Sequence, residues 1–228
     1  MIQFFRERSG LPRRVGGAPS HHPAIETLVE YAAGQMRPGF DLVVATHLRG
    51  CARCRADVAQ LEALGGGLLD NMAPADLDEG ALAATLARLE EPSPALESSP
   101  LADPEVPARS LDQLLAGARR RWIAPGIWIA PIDTPHDAED RVFLLRVAAG
   151  WSTAQHDHSG AEMTQVLSGA LDDGGVIYRA GDMVEMDQDN GHYPKVAGNE
   201  PCICLFATQG RLKPTSWVGR IAFALAGV

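Results

Sequence analysis

The chain has 228 residues, 46% of them hydrophobic, with 29 acidic against 20 basic side chains and a formal net charge of −9. That composition supports packed cores rather than disorder, and acids spread along the chain argue against a face for nucleic acid. No run of about 18 apolar residues exists to span a bilayer, and the first twenty residues lack the apolar segment of a signal peptide, so a cytoplasmic protein without a membrane partner is expected.

Residues 1–20 carry four arginines, one acid and Gly16-Gly17 without an apolar period, and read as a flexible extension. Ile25, Leu28, Val29 and Ala32 then follow the i, i+3, i+4, i+7 rule, which predicts an amphipathic helix over 24–35 that ends at Gly34–Gly39 with Pro38. A second helix is predicted from near Phe40. A third carries Val58, Leu61 and Leu64 and is expected to stop at Gly65-Gly66-Gly67, and a fourth covers 81–89. Residues 21–89 thus form a small helical bundle.

The stretch from Glu90 to Pro107 holds five prolines, five acids and no base, which marks 90–109 as a linker. In 110–228, short apolar runs at Ile127 to Ile132, Val142 to Val147, Thr164 to Leu167, Val176 to Tyr178 and Cys202 to Thr208 alternate with Gly, Asp and Asn turns. Such spacing predicts a β-barrel or jelly roll, so the chain reads as a two-domain α+β protein. Trp122, Trp128, Trp151 and Trp217 are expected to pack in that domain. The Arg119-Arg120-Arg121 run reads as a solvated face, and His136 is assigned no role.

Two constellations carry chemistry. His47, Cys51 and Cys54 lie at i, i+4 and i+7, a spacing that one helix gathers on one face as a three-point metal grip. A closed structural zinc site adds a fourth protein ligand, and His22, just before the first helix, is placed to supply it, with its neighbour His21 as the rival. A thioredoxin-like reading of Cys51-x-x-Cys54 wants a preceding strand and a βαβ context, which the sequence lacks. Further on, His156 and His158 at i, i+2 share one face of a strand, and a turn at Ser159-Gly160 returns Glu162 to that face. Cys202 and Cys204, also at i, i+2, face one way. They are either buried small hydrophobes or redox-sensing thiols beside the metal.

Two resemblances follow from these residues. Gly150, five residues, His156-Asp157-His158, three residues, Glu162, six residues and Gly169 resemble the first cupin motif, and Gly181 followed eleven residues later by His192 resembles the second. The second match departs from the pattern at Asp187-Gln188-Asp189, where Pro-x-Gly is usual, and at Val196. It implies a cupin metal held by His156, His158, Glu162 and His192, a donor set suited to zinc or another divalent transition metal. His22 followed by His47-Leu48-Arg49-Gly50-Cys51-Ala52-Arg53-Cys54 resembles the zinc-binding anti-sigma fold, and the chain after residue 20 resembles the ChrR family of anti-sigma factors.

That resemblance implies a regulator rather than an enzyme: zinc in the helical domain, an extracytoplasmic-function (ECF) sigma factor as partner, and release controlled by a cupin responding to oxidative stress such as singlet oxygen or organic hydroperoxides. A small oxidant or ligand would reach the cupin. The apolar faces of the helices at 24–35 and 81–89 are the expected docking surface. The alternative function is a metal-dependent cupin dioxygenase or isomerase with an accessory helical zinc module.

Overall fold

The computed structural model describes residues 17–90, 119–132, 140–153, 156–157, 160–186, 193–210 and 213–214. Four helices come first: α1 (Ile25–Ala32), α2 (Pro38–Leu48), α3 (Ala52–Asp70) and α4 (Ala81–Glu90). The strands are β1 (Arg121–Ala124), β2 (Ile127–Ile132), β3 (Asp140–Val147), β4 (His156–Asp157), β5 (Glu162–Ser168), β6 (Ala170–Asp173), β7 (Val176–Arg179), β8 (Met183–Met186), β9 (Lys195–Val196), β10 (Cys202–Gln209) and β11 (Lys213–Pro214). The extension before residue 17, most of the linker, His136 and Trp217 lie outside the described residues.

All pairings are antiparallel. One six-stranded sheet runs β1-β2-β3-β10-β5-β8, a three-stranded sheet runs β7-β6-β9, and β4 pairs with β11. This is a cupin-like β domain whose ladder, among the described residues, does not close into a barrel. Alternation along each strand divides the six-stranded sheet into two buried faces. Ile129, Phe143, Val166, Cys202, Cys204 and Phe206 face the small sheet, where Leu171, Tyr178 and Val196 meet them. Phe143 and Phe206, directly opposite in register, stack at 5.1 Å.

The other face carries Trp128, Ala130, Val142, Leu144, Leu205 and Ala207, and it is covered by the helices in one continuous core with Leu28, Phe40, Val43, Val44 and Val58. The α2 helix lies directly against β3, β5 and β10. Gly39 allows this closeness, because a Cβ there would stand 2.8 Å from Val142 Cγ2. At the start of α2, Arg37 grips Asp140 with Nε and a second guanidinium nitrogen, each at 2.8 Å. The helical unit is therefore seated on the sheet rather than held only through the chain that connects them. Strands buried on both faces read as near-continuous apolar runs, which explains why β2, β3 and β10 were visible as such.

Two local expectations fail. The α3 helix does not stop at Gly65-Gly66-Gly67 but continues to Asp70, where Asn71 Nδ2 donates to Gly67 O at 2.7 Å. Glycine costs a helix only about 1 kcal/mol per residue and clashes with nothing, and a helix nucleated by its packed first turns extends one residue at a time. Nor do tryptophans all pack: Trp128 is buried, but Trp122 and Trp151 are exposed. In the arginine run, Arg120 stands over the Trp128 ring at 5.0 Å.

Candidate metal centre

His47, Cys51 and Cys54 do not share one continuous helix. The α2 helix ends at Leu48, the chain turns through Arg49-Gly50, and Cys51 has extended angles, φ −116° and ψ 102°, as N-cap of α3. The cap is chemical as well as geometric: Cys51 Sγ accepts from the Cys54 N–H at 3.5 Å. Arg55 Nη1 bridges the break by donating to Leu48 O at 2.6 Å.

The structure brings His22, His47, Cys51 and Cys54 together, with one ligand atom from each and all of these within 4.8 Å of one another. His22 Nδ1 stands 3.4 Å from both sulfurs. In a tetrahedron with metal–nitrogen bonds of about 2.05 Å and metal–sulfur bonds of about 2.3 Å, the nitrogen–sulfur edge is about 3.5 Å. His47 Nε2 is buried and makes no hydrogen bond, an orphan that a metal would satisfy. The residues fit a four-coordinate ion with soft and borderline donors.

The rival His21 is engaged elsewhere, its Nδ1 at 3.2 Å from Asp182 Oδ2 and its ring 4.5 Å from Tyr178. Burial lowers the pKa of both His22 and His47, so both stay neutral imidazoles, the form that ligates. Burial, with the Cys51 hydrogen bond and charge adding to it, pushes the Cys54 thiol up to about 12. A metal would have to displace that proton.

Residues of the β domain complete the surroundings, and the sequence did not point to them. His47 Nδ1 lies 3.1 Å from Gln165 Oε1 and 3.1 Å from Gly181 O. Asp182 accepts from Ser20 N, Ser20 Oγ, His21 N and Arg179 N. Burial raises its pKa, but those backbone bonds and His21 together hold it below the usual carboxylate value. Gln165 had one sequence signal: it stands between the apolar Met163 and Leu167 on one face of β5, and a polar residue on such a face needs a buried partner.

The second constellation is described only in part. Glu162 on β5 is buried, accepts from Thr164 Oγ1 at 3.2 Å, and pairs in register with Thr208 and Met186. His156 stands on β4 opposite Pro214. His158 and His192 lie outside the described residues. Cys202 and Cys204 are buried on the inner face, their sulfurs 3.6 Å apart, beside an apolar cavity of about 20 Å³ lined by Leu145, Val147, Leu171 and Phe206. The shared hydrogen bond with Cys202, and then burial, raise the Cys204 pKa well above its ordinary value, so Cys204 is a thiol at neutral pH. No helix among the described residues is long and apolar enough to cross a membrane.

The protein thus combines a helical unit with a cupin-like β domain, and a His/Cys cluster that could hold a metal ion, drawn from the segment before α1, the end of α2 and the start of α3, lies against that domain. Residues 114–212 match the ChrR cupin-like domain family. Over 208 residues the chain is 38% identical to the anti-sigma-E factor ChrR of Cereibacter sphaeroides, covering 88% of this chain and 95% of that one. The fold is similar to a chain in the crystal structure of Rhodobacter sphaeroides SigE in complex with the anti-sigma ChrR, with a TM-score of 0.70 and 36% identity over 84% of this chain and 100% of that chain. The chain belongs to the ChrR family of anti-sigma factors.

Proposed function

We propose that this protein is an anti-sigma factor that captures an ECF sigma factor through its helical domain, residues 21–89, and that the cupin-like domain, residues 110–228, controls release. The observation that carries the reading is 38% identity to an anti-sigma factor over 88% of the chain, a span that includes both modules. A regulator, not an enzyme, is the corresponding class.

The exposed surface supports it. The core stripe of α3, Cys54, Val58 and Leu61, continues as Leu64 and Leu68, with Met72 just past the helix end, yet these last three are 63–68% exposed. Leu69, Leu77, Leu82 and Leu86 are exposed nearby in the chain. A run of large apolar side chains in water marks a docking surface, and amphipathic helices dock by such stripes. The α1 helix offers less, since Leu28 is buried and only Ile25 and Val29 are exposed.

Zinc is the ion the His/Cys donor set suits. Bound there, it would tie the residue leading into α1, the end of α2 and the start of α3, and so hold the direction in which α3 projects. In the cupin-like domain His156, His158, Glu162 and His192 would hold a second divalent ion. Oxidative stress is the signal we assign. Cys202 and Cys204 would be the redox pair of this reading, each thiol losing a proton and one electron as a hydroperoxide is reduced to alcohol and water; the sulfurs would close from 3.6 Å to about 2.05 Å.

The test is co-purification with a cognate ECF sigma factor, with metal content measured on the same sample. A one-to-one complex with two zinc ions per chain is expected. Absence of a complex, with iron or manganese bound and substrate turnover, would replace this reading with a cupin enzyme.

A further inference from the structure

In the His/Cys centre, His47 bonds directly to the β domain and the segment that leads to His22 bonds to it through Ser20 and His21, whereas the bonds of the two cysteine sulfurs stay within the helical unit. This division rests on reading the cluster as a metal site. His47 offers a single Nδ1–H, and its acceptors are Gln165 Oε1 on β5 and the carbonyl of Gly181, the residue leading into β8. The orientation of the Gln165 amide follows from its other end, because Nε2 donates to Val166 O at 3.1 Å and the oxygen must therefore face the imidazole. With Nδ1 carrying the proton, the Nε2 lone pair points to the cysteines. On the other side, residues 20–24 lie along β8: Met183 N donates to His21 O at 3.2 Å, Ala24 N to Glu185 Oε1 at 3.3 Å, and Ser20 and His21 to Asp182. Gly181, at φ +104°, leaves room for Pro19, whose Cγ would stand 3.3 Å from any Cβ there.

We infer that the cupin-like domain is the outer shell of the helical metal centre, with Gln165 as positioning residue for His47 and Asp182 as the anchor of Ser20 and His21, the residues that lead to His22, so that the seating of the β domain sets the metal affinity of the helical unit. Hydrogen-bond partners behind ligating histidines fix tautomer and ring direction and raise ligand basicity, and losing one typically lowers metal affinity about 10- to 100-fold. By linkage, metal binding tightens the domain contact by the same factor. Strand β5 carries Glu162 on the face toward the small sheet and Gln165 on the face toward α2. One strand thus touches both constellations.

The experiment titrates the full chain with Co²⁺ and follows the thiolate-to-cobalt charge-transfer band, which reports the cysteine-bearing site and not the His/Glu set. Gln165→Leu, which keeps the volume and removes the acceptor, should weaken cobalt binding about tenfold and shift the d–d bands with the imidazole tautomer. Asp182→Ala, which removes the acceptor of Ser20 and His21 beside His22, should weaken it as well. Gln165→Glu restores an acceptor and should return affinity to the wild-type value or above it. Met163→Ala, on the same face of β5 but with no bond to His47, should leave affinity unchanged. Equal affinity for Gln165→Leu and the wild type, or an equal loss in Met163→Ala, would overturn the inference. A wild-type chain that gives no charge-transfer band would overturn the metal reading itself, and this inference with it.

Discussion

A single type of substitution, glycine to alanine, should change stability in opposite directions at two positions of the helical unit. At Gly39 the new Cβ would lie 2.8 Å from Val142 Cγ2, 3.7 Å from Asp140 Cβ and 3.9 Å from Ala207 Cβ. Ordinary carbon contacts are about 3.5–4.0 Å, so α2 or β3 must give by nearly 1 Å. Val142 is buried and its χ1 is stiff; overpacking of this kind costs about 1–3 kcal/mol. Replacing glycine in a helix recovers about 0.5–1 kcal/mol. The net expectation is a loss of about 1 kcal/mol. At Gly66, in the projecting half of α3, nothing lies within 4 Å of the new Cβ, and only the helical gain of up to about 1 kcal/mol remains. Urea unfolding followed by far-ultraviolet circular dichroism, at matched metal content, separates the two. If Gly39→Ala stabilises the chain as Gly66→Ala does, α2 does not lie against β3 and the seating of the helices on the sheet is wrong.

Removing one sulfur, by Cys54→Ala, should lower the bound metal by one ion per chain and weaken sigma binding, because the bundle loses its tether; mass spectrometry of the native chain and a sigma titration check both. Leu68→Asp combined with Met72→Asp should leave stability within about 0.5 kcal/mol, as expected for exposed sites, while weakening sigma binding at least tenfold; unchanged affinity would remove α3 from the interface. In the metal-free chain the Cys54 thiol sits at about 12, above an unfolded value of about 8.5. That contribution to stability is present below the unfolded value and lost as pH rises toward 12, so the urea midpoint should fall over that window and fall less in Cys54→Ala. Cys204, held protonated by Cys202 and by burial, should resist iodoacetamide at pH 8 in the native chain and react on unfolding; mass mapping of the alkylated peptide is the readout.

The His/Cys cluster was legible in the amino-acid sequence because residue type and spacing are local properties. His47, Cys51 and Cys54 follow one another at steps of four and three residues, each close to one helical turn, so the mistaken expectation of a single helix still brought these three side chains together. Four strands of the six-stranded sheet were legible too, β5 as a short run and β2, β3 and β10 as longer ones because burial on both faces makes them apolar, whereas β1 and β8 were not. The stop assigned at Gly65–Gly67 failed because a breaker signal states a cost, and the cost of glycine is small enough for an established helix to absorb.

What only the tertiary structure decided is which groups from distant parts of the chain meet. Gln165 lies 118 residues from His47, and Asp182 lies 161 and 162 residues from His21 and Ser20. No periodicity links such pairs, because their contact depends on how α2 crosses β3, β5 and β10, and that crossing is set by shape: the absent side chain of Gly39, the fork of Arg37 on Asp140, and the small residues Ala130 and Ala207 beneath the helix. The amino-acid sequence by itself pointed to the four side chains of the cluster. The fold determined that Gln165 and Gly181 of the β domain stand behind His47.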